Sequence, residues 1–340
     1  MMKMKEKLLK KFGTLLVLCS VCVITPVMLS GCTSQNDNII RISGANALQP
    51  MMEIWAKEYQ KLHPEIRIDI SGGGAGKGMT EALAGVVDIG MYSKDVTHND
   101  ISNGVFWVSV ASDAVVVTMN SQNPVKDTLL MKGVTKAQLQ DIFIHIYDNR
   151  TIKTWGDLIG DPNASTQRIW VFTRQDSCGA AEMWAKYLGH YLQDNLTAAA
   201  DAAQIEDAGV RTAIQGNKNS IGYNNINTVY DIQTKLPYPG ILPIPLDLNE
   251  NGMIDQNESF YNNSADIVDA IRNHIYPWPP ARNLHLVTKG NFSGIVKDFV
   301  EWILTEGQQY VEISGYLKLP DVTLDLQLQY LAAGARPEIR

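Results

Sequence analysis

The chain has 340 residues, 45% of them hydrophobic, which is enough for one large or two ordinary domains with real cores. Its formal net charge of −7 speaks against nucleic-acid binding, which calls for a basic face, and four scattered cysteines exclude a disulfide framework. Neither an internal repeat nor a low-complexity segment is present.

At the start, Lys3, Lys5, Lys7, Lys10 and Lys11 precede an apolar run over residues 12–29, so residues 1–31 read as a signal peptide and not as part of a fold. The run ends in Leu29, Ser30, Gly31 and Cys32, which resembles the lipobox of bacterial lipoproteins and makes Cys32 the lipid-bearing first residue of the mature chain. A transmembrane anchor is the competing reading, because the run is about long enough to span a bilayer. The small residues before Cys32 and the polar stretch 33–38 favour the lipobox. On that reading the body is extracytoplasmic and held to the membrane through its lipid alone. Loss of five lysines and one glutamate moves the formal charge from −7 to −11, and only Cys178 remains in the body.

From Asn38 onward, strand-like and amphipathic segments alternate. Residues 39–43, 66–71, 88–93, 114–120, 168–173 and 283–288 predict strands; 51–62, 79–86, 180–188, 267–273 and 294–306 predict helices. This is the pattern of an α/β fold. Residues 321–340 read as a C-terminal tail.

Three strand-to-helix junctions are built alike: residues 43–47 (SGANA), 72–78 (GGGAGKG) and 176–180 (DSCGA). Glycine admits positive φ and close approach, while a helix start offers unpaired amide donors and partial positive charge, so each junction suits an anion. Ordinary caps and tight turns would look the same at any one junction. Three together, with Arg174 directly before the third, favour a shared anion site, since a guanidinium grips two oxygens at once. The glycine cluster is no P-loop, because Lys77 is not followed by Ser or Thr, which argues against nucleotide hydrolysis.

These segments, in this order, resemble the phosphate-binding proteins of phosphate ABC transporters, within the periplasmic-binding-protein class. The landmarks are ISGANALQPMMEIWAKEY, GGGAGKGMTEALAGVVDIGMYSKDV, DAVVVTMNSQNPV, LQDIFIHIYDNRTIKTWGDL, TRQDSCGAAEMWAKYLG, NSIGYNNI and PPARNLHLVTKG with FVEWILTEGQQYVEISGYLKL, and they span about residues 40–319. The resemblance implies a two-lobed, type II-like periplasmic-binding fold with a ligand cleft between the lobes. It places lobe 1 at 40–115 plus 238–320 and lobe 2 at 116–237. It also implies capture of an inorganic oxyanion, phosphate foremost, for an ABC importer permease, by a monomer that is not an enzyme.

Carried over position by position, the resemblance points to Asn46 and Ala47 in the first loop, Ala75 and Gly76 in the second, Ser93 after DIGMY, and Arg174, Ser177, Cys178 and Gly179 in the third. Ala47, Ala75, Cys178 and Ala180 stand where the family carries hydroxyls or their equivalents, leaving backbone amides, Ser93 and Arg174 to hold the anion. With serine in place of an acceptor carboxylate at 93, tungstate, molybdate or sulfate remain open as ligands, as does a ligand-sensing role. Cys178 at a helix start invites a catalytic reading, but no His or Asp partner can be assigned to it. A phosphatase would need a nucleophile or a two-metal site in the cleft.

Asp247 to Glu258 fit a twelve-residue EF-hand loop: Asp247, Asn249 and Asn251 at positions one, three and five, Gly252 at the sharp turn, Met253 offering its carbonyl, Asp255 at nine and Glu258 at twelve. A structural Ca²⁺ is expected there; an acidic, Asn-rich turn is the plainer alternative. Pro243 and Pro245 leave no room for an entering helix, so the loop reads as a lone staple in lobe 1.

Overall fold

The computed structural model describes residues 38–334. The predicted signal peptide, the lipid site at Cys32 and residues 335–340 of the predicted tail lie outside the described residues. Among the described residues no helix is long and apolar enough to cross a membrane.

Among the described residues, nine strands form one hydrogen-bonded sheet. They are β1 (Ile39–Gly44), β2 (Arg67–Ser71), β3 (Ile89–Tyr92), β4 (Val105–Asn120), β5 (Trp170–Arg174), β6 (Ala202–Gln204), β7 (Ser220–Asn225), β8 (Ile241–Pro243) and β9 (Ala281–Lys289). The order is β2-β1-β3-β9-β4-β7-β5-β6, with β8 on the far end of β4. β1 runs parallel to β2 and β3, and β5 parallel to β6 and β7, with helices in the connections between them. β4 and β9 are antiparallel and connect the two halves.

The two halves are lobes with separate cores. One cluster runs from Ile40 to Ala111 and resumes from Leu284 to Leu331; the other runs from Ala114 to Ala281 and is joined by Leu317. The change of lobe thus falls within β4, at residues 111–114, and within β9, at residues 281–284. β4 is buried along its whole length because it serves both cores in turn. It begins nine residues before the predicted strand, the early part being interrupted by a bulge between Ser109 and Ala111.

Two expected boundaries are corrected. Residues 238–281 do not return to lobe 1: β8 pairs with the far half of β4, and Ile267 and Ile271 of the Ser264–Arg272 helix pack in the lobe 2 core. Tyr276 fixes this return by donating its hydroxyl to the Val115 carbonyl at 2.6 Å. The EF-hand-like loop therefore belongs to lobe 2. Nor is 321–340 simply a tail, for Asp321–Ala333 is a helix whose Leu324 and Leu331 enter the lobe 1 core. Between them Gln327 accepts the Ser109 amide at the β4 bulge, at 2.9 Å, satisfying a donor that the bulge frees from the ladder.

Candidate functional site

The first two junctions close on one another because glycine permits it. A Cβ on Gly44, at φ +132°, would lie 2.3 Å from the Met91 carbonyl and 2.8 Å from Gly78 Cα, so the end of β1, the Ala75–Ala84 helix and β3 meet backbone to backbone. Gly44 then accepts the Gly74 amide at 3.0 Å, and Asn46 Oδ1 accepts the Gly73 amide at 2.9 Å. The Ala75–Ala84 helix has no side-chain cap of its own.

The third junction reaches across from lobe 2. The Ser177 carbonyl accepts the Gly76 amide at 3.4 Å, and Gly179, first residue of the Gly179–Gly189 helix, lies against Ser93. Lys94 donates to Ser177 Oγ at 2.9 Å and pairs with Glu182 at 3.5 Å; Lys186 bonds both Glu182 (2.9 Å) and Asp95 (2.7 Å). From the lobe 2 helix Ile226–Val229, Asn227 donates to the Ala47 carbonyl at 3.0 Å, beside the Tyr316 hydroxyl, which donates to the same oxygen at 2.8 Å. The lobes are in contact in a closed arrangement.

All nine predicted ligand residues fall in this region, in unequal roles. Ala47 and Ala75 are buried and present backbone only. Asn46 Nδ2 is buried and has no hydrogen-bond partner among the described residues, which leaves a donor free while its oxygen anchors Gly73. Ser177 does not turn its hydroxyl inward to replace a lost donor; it faces an open pocket of about 440 Å³ and takes the Lys94 bond there.

Arg174 ends β5 and is 1% exposed. Its guanidinium is forked onto Asp176, through Nε to Oδ1 at 2.8 Å and through Nη2 to Oδ2. Nη1 lies 2.6 Å from Asp207 Oδ2 but without the alignment of a hydrogen bond. Burial alone would lower the Arg174 pKa, but Asp207 and Asp176 outweigh it and raise it, so the guanidinium is always charged. Burial likewise works to raise Asp176, and the Arg174 hydrogen bond and charge prevail, holding that carboxyl below its usual range. Two carboxylates therefore fix the arginine in one orientation.

Cys178 is the N-cap of the Gly179–Gly189 helix, its Sγ accepting the Ala181 amide at 3.5 Å while its own amide donates to Gln193. Burial pushes its thiol up to about 11, and Arg174 offsets this only in part. That shift favours the protonated thiol at neutral pH.

The EF-hand-like loop is folded on its own carboxylates. Asp247 accepts the Asn251 and Gly252 amides at 3.2 and 2.8 Å; Glu258 accepts those of Leu248, Asn249 and Asp255 at 2.9 to 3.2 Å. Gly252 takes φ +84°, the left-handed turn expected of position six. Among the described residues no three of His, Cys, Asp and Glu gather as metal ligands. A cation here would have to draw on the oxygens of Asn249, Asn251 and Met253 besides the carboxylates.

Sequence reasoning missed Asp176, Asp207, Asn227 and Tyr316, whose partners lie up to 269 residues away in the chain. The signal that could have found Asp207 is the acidic first turn of the Glu206–Gly216 helix, a helix absent from the predicted elements.

Comparison with known proteins accords with this geometry. A family model described as PBP superfamily domain matches residues 32–306. Curated relatives include the phosphate-binding protein PstS of Methanocaldococcus jannaschii, 25% identical over 90% of this chain and 92% of that one. The Bacillus subtilis protein of the same name is 24% identical over 83% of this chain and 81% of its own. Among solved structures, a putative phosphate ABC transporter substrate-binding protein with bound phosphate from Clostridium perfringens aligns with a TM-score of 0.65. It is 23% identical and covers 83% of this chain and all of that one, a likeness of fold.

Proposed function

The chain belongs to the PBP superfamily, and from that premise we propose that it is an extracytoplasmic solute-binding protein that captures phosphate for an ABC importer permease. One observation carries the reading. One buried donor, Asn46 Nδ2, stands without a hydrogen-bond partner among the described residues, where three glycine-bearing helix starts meet between the lobes. An unsatisfied buried donor is costly, and an oxyanion supplies an acceptor to it and to the helix-start amides around it.

The mechanism is binding without chemistry. An open form admits the anion, the helix-start amides of Ala75, Lys77, Gly179 and Ala180 and the fixed Arg174 surround it, and contacts across the cleft close the lobes. In this reading the protein binds the anion without hydrolysing an ester: Cys178 is buried at a helix N-cap with its pKa raised, which disfavours a thiolate nucleophile. Isothermal titration with phosphate, sulfate, tungstate and molybdate tests the assignment: phosphate is expected to bind most tightly, and heat from none of the four would end the oxyanion reading. A second oxyanion is favoured by one feature, that Asp176 and Asp207 both face Arg174 and leave no free carboxylate to accept the proton of hydrogen phosphate. Tungstate or molybdate ahead of phosphate in the same titration would decide for it.

Two further proposals concern the ends of the system. Cys32 carries the lipid that tethers the chain, as a monomer, to the membrane; Cys32→Ser is expected to release it into the soluble fraction, and continued membrane association would refute the anchor. The loop 247–258 holds a structural Ca²⁺ through Asp247, Asn249, Asn251, Met253, Asp255 and Glu258.

A further inference from the structure

Arg174 is one end of a chain of buried polar groups. Asp207, 2.6 Å from Arg174 Nη1, also accepts a hydrogen bond from Asn225 Nδ2 at 2.9 Å. The Asn225 side-chain oxygen in turn accepts from Arg282 Nη2, and Arg282 is forked onto Asp113 at 2.9 and 3.2 Å. All five residues are at most 4% exposed. Asp113 and Arg282 face each other on β4 and β9, within the few residues where both strands change lobe. Asn225 pairs with Val115 at the end of β7 and starts the short helix from which Asn227 reaches lobe 1.

Such a chain is sensitive to its links. Each buried charge is held by the next group, so loss of one partner leaves its neighbour free to turn. Asp207 is held on two sides, by Arg174 and by Asn225, and Asn225 is held by Arg282. The orientation of the cleft arginine is thus set from the crossover strands, about which the lobes must move.

We propose that Asn225 and Arg282, with Asp113, are positioning residues for the oxyanion: without touching it, they hold Asp207 where it fixes Arg174, and so couple the geometry of the crossovers to affinity in the cleft. This rests on the reading that Arg174 meets the oxyanion.

Phosphate titration of the full chain tests it, with melting temperatures as the check on folding. Asn225→Ala cuts the chain in the middle. Arg282→Lys keeps the charge opposite Asp113 but has no second branch for Asn225, so a role in charge balance alone would leave it fully active. Each is expected to weaken phosphate binding about tenfold, and the double variant to be no weaker than the poorer single one, because both break one path. Tyr276→Phe, which removes a buried hydroxyl of the same lobe outside the chain, is expected to bind within about twofold of the parent. Should Asn225→Ala not fold, Arg282→Lys carries the test alone. Parent-like affinity in the folded variants, multiplying losses in the double one, or an equal loss in Tyr276→Phe would overturn the proposal. Arg174→Lys separates the two levels. If it binds phosphate like the parent, the site assignment fails and this inference with it; if it loses phosphate while Asn225→Ala and Arg282→Lys keep it, the inference alone fails.

Discussion

Substituting Gly179 by Ala separates closure of the cleft from folding of the lobes. An added Cβ would lie 1.8 Å from the Ser93 carbonyl oxygen and 2.5 Å from Ser93 Oγ, whereas side-chain carbons keep at least 3.0 Å from such atoms. Ser93 is in lobe 1 and Gly179 in lobe 2, so the lobes must part by about 1.2 Å at this point or the backbone must distort. Overpacking of this kind costs about 1–3 kcal/mol. Here the penalty falls on the closed form alone, which predicts phosphate binding weaker by roughly 5- to 150-fold. Within its own lobe alanine is at no disadvantage, because Gly179 stands in a helix at ordinary negative φ, where alanine is favoured. The unliganded melting temperature should therefore stay level or rise slightly. Calorimetric titration measures the first quantity and thermal unfolding the second. Phosphate affinity within about twofold of the parent would refute the reasoning, since the contact would then be shown not to belong to the binding form.

Glu182→Gln removes the charge shared by Lys94 and Lys186 across the cleft, and because these groups are partly solvated it should weaken phosphate only about two- to fivefold. The difference from the parent should shrink as salt rises, and a salt-independent loss would contradict an electrostatic latch. Asp176 is held below its usual range by Arg174 against the opposing effect of burial; Asp141 is held there by bonds from Ile152, His145 and Thr151, again against burial. A depressed folded value gives stability that is present above the ordinary carboxylate range and is lost as pH falls through the depressed one, so unfolding should set in below about pH 4. Asp141→Asn should flatten that acid limb, and an unaltered limb would contradict the assignment. In the 247–258 loop, Glu258→Gln should abolish any rise in melting temperature on adding Ca²⁺ to chelator-treated protein, and a parent without that rise would end the calcium proposal.

Much of lobe 1 was legible because its early elements are local. Strand and helix alternate at short intervals from Ile39 to Tyr92, each with its own period, and glycines mark the junctions. The ends of the lobes were less legible. Leu324, Leu326 and Leu328 alternate as a strand would, yet the helix there buries Leu324, Gln327 and Leu331, and Gln327 earns its core place only through the bulge at Ser109, 218 residues away. The return to lobe 1 was set too early for a similar reason. Residues 241–276 are bound to lobe 2 by ladder pairing with β4 and by tyrosine hydroxyls, and neither leaves a periodic mark in the sequence.

The proposed site divides along the same line. The donors proposed for it rest on a local signal, glycine before a helix start; the groups that hold Arg174 and Ala47 do not, since Asp207, Asn227 and Arg282 arrive from other elements. That division bears on how closure is governed. Apart from Leu317, which joins the lobe 2 cluster, each hydrophobic cluster closes within its own lobe, and the contacts across the cleft include the polar ones of Lys94 with Glu182 and Ser177, Lys186 with Asp95, Asn227 with Ala47, and Gly76 with Ser177. Solvated ion pairs of this sort contribute about 0–1 kcal/mol each. They leave open and closed forms close in energy. Shifting such an equilibrium from 1:99 to 99:1 takes roughly 5.5 kcal/mol. Hydrogen bonds to a charged group supply about 1.5–3 kcal/mol apiece, so two to four bonds to an oxyanion suffice. Asn46 Nδ2, Arg174 and the amides at the helix starts can provide that number without a single side-chain hydroxyl, which is why Ala47, Ala75 and Ala180 are compatible with a working clamp.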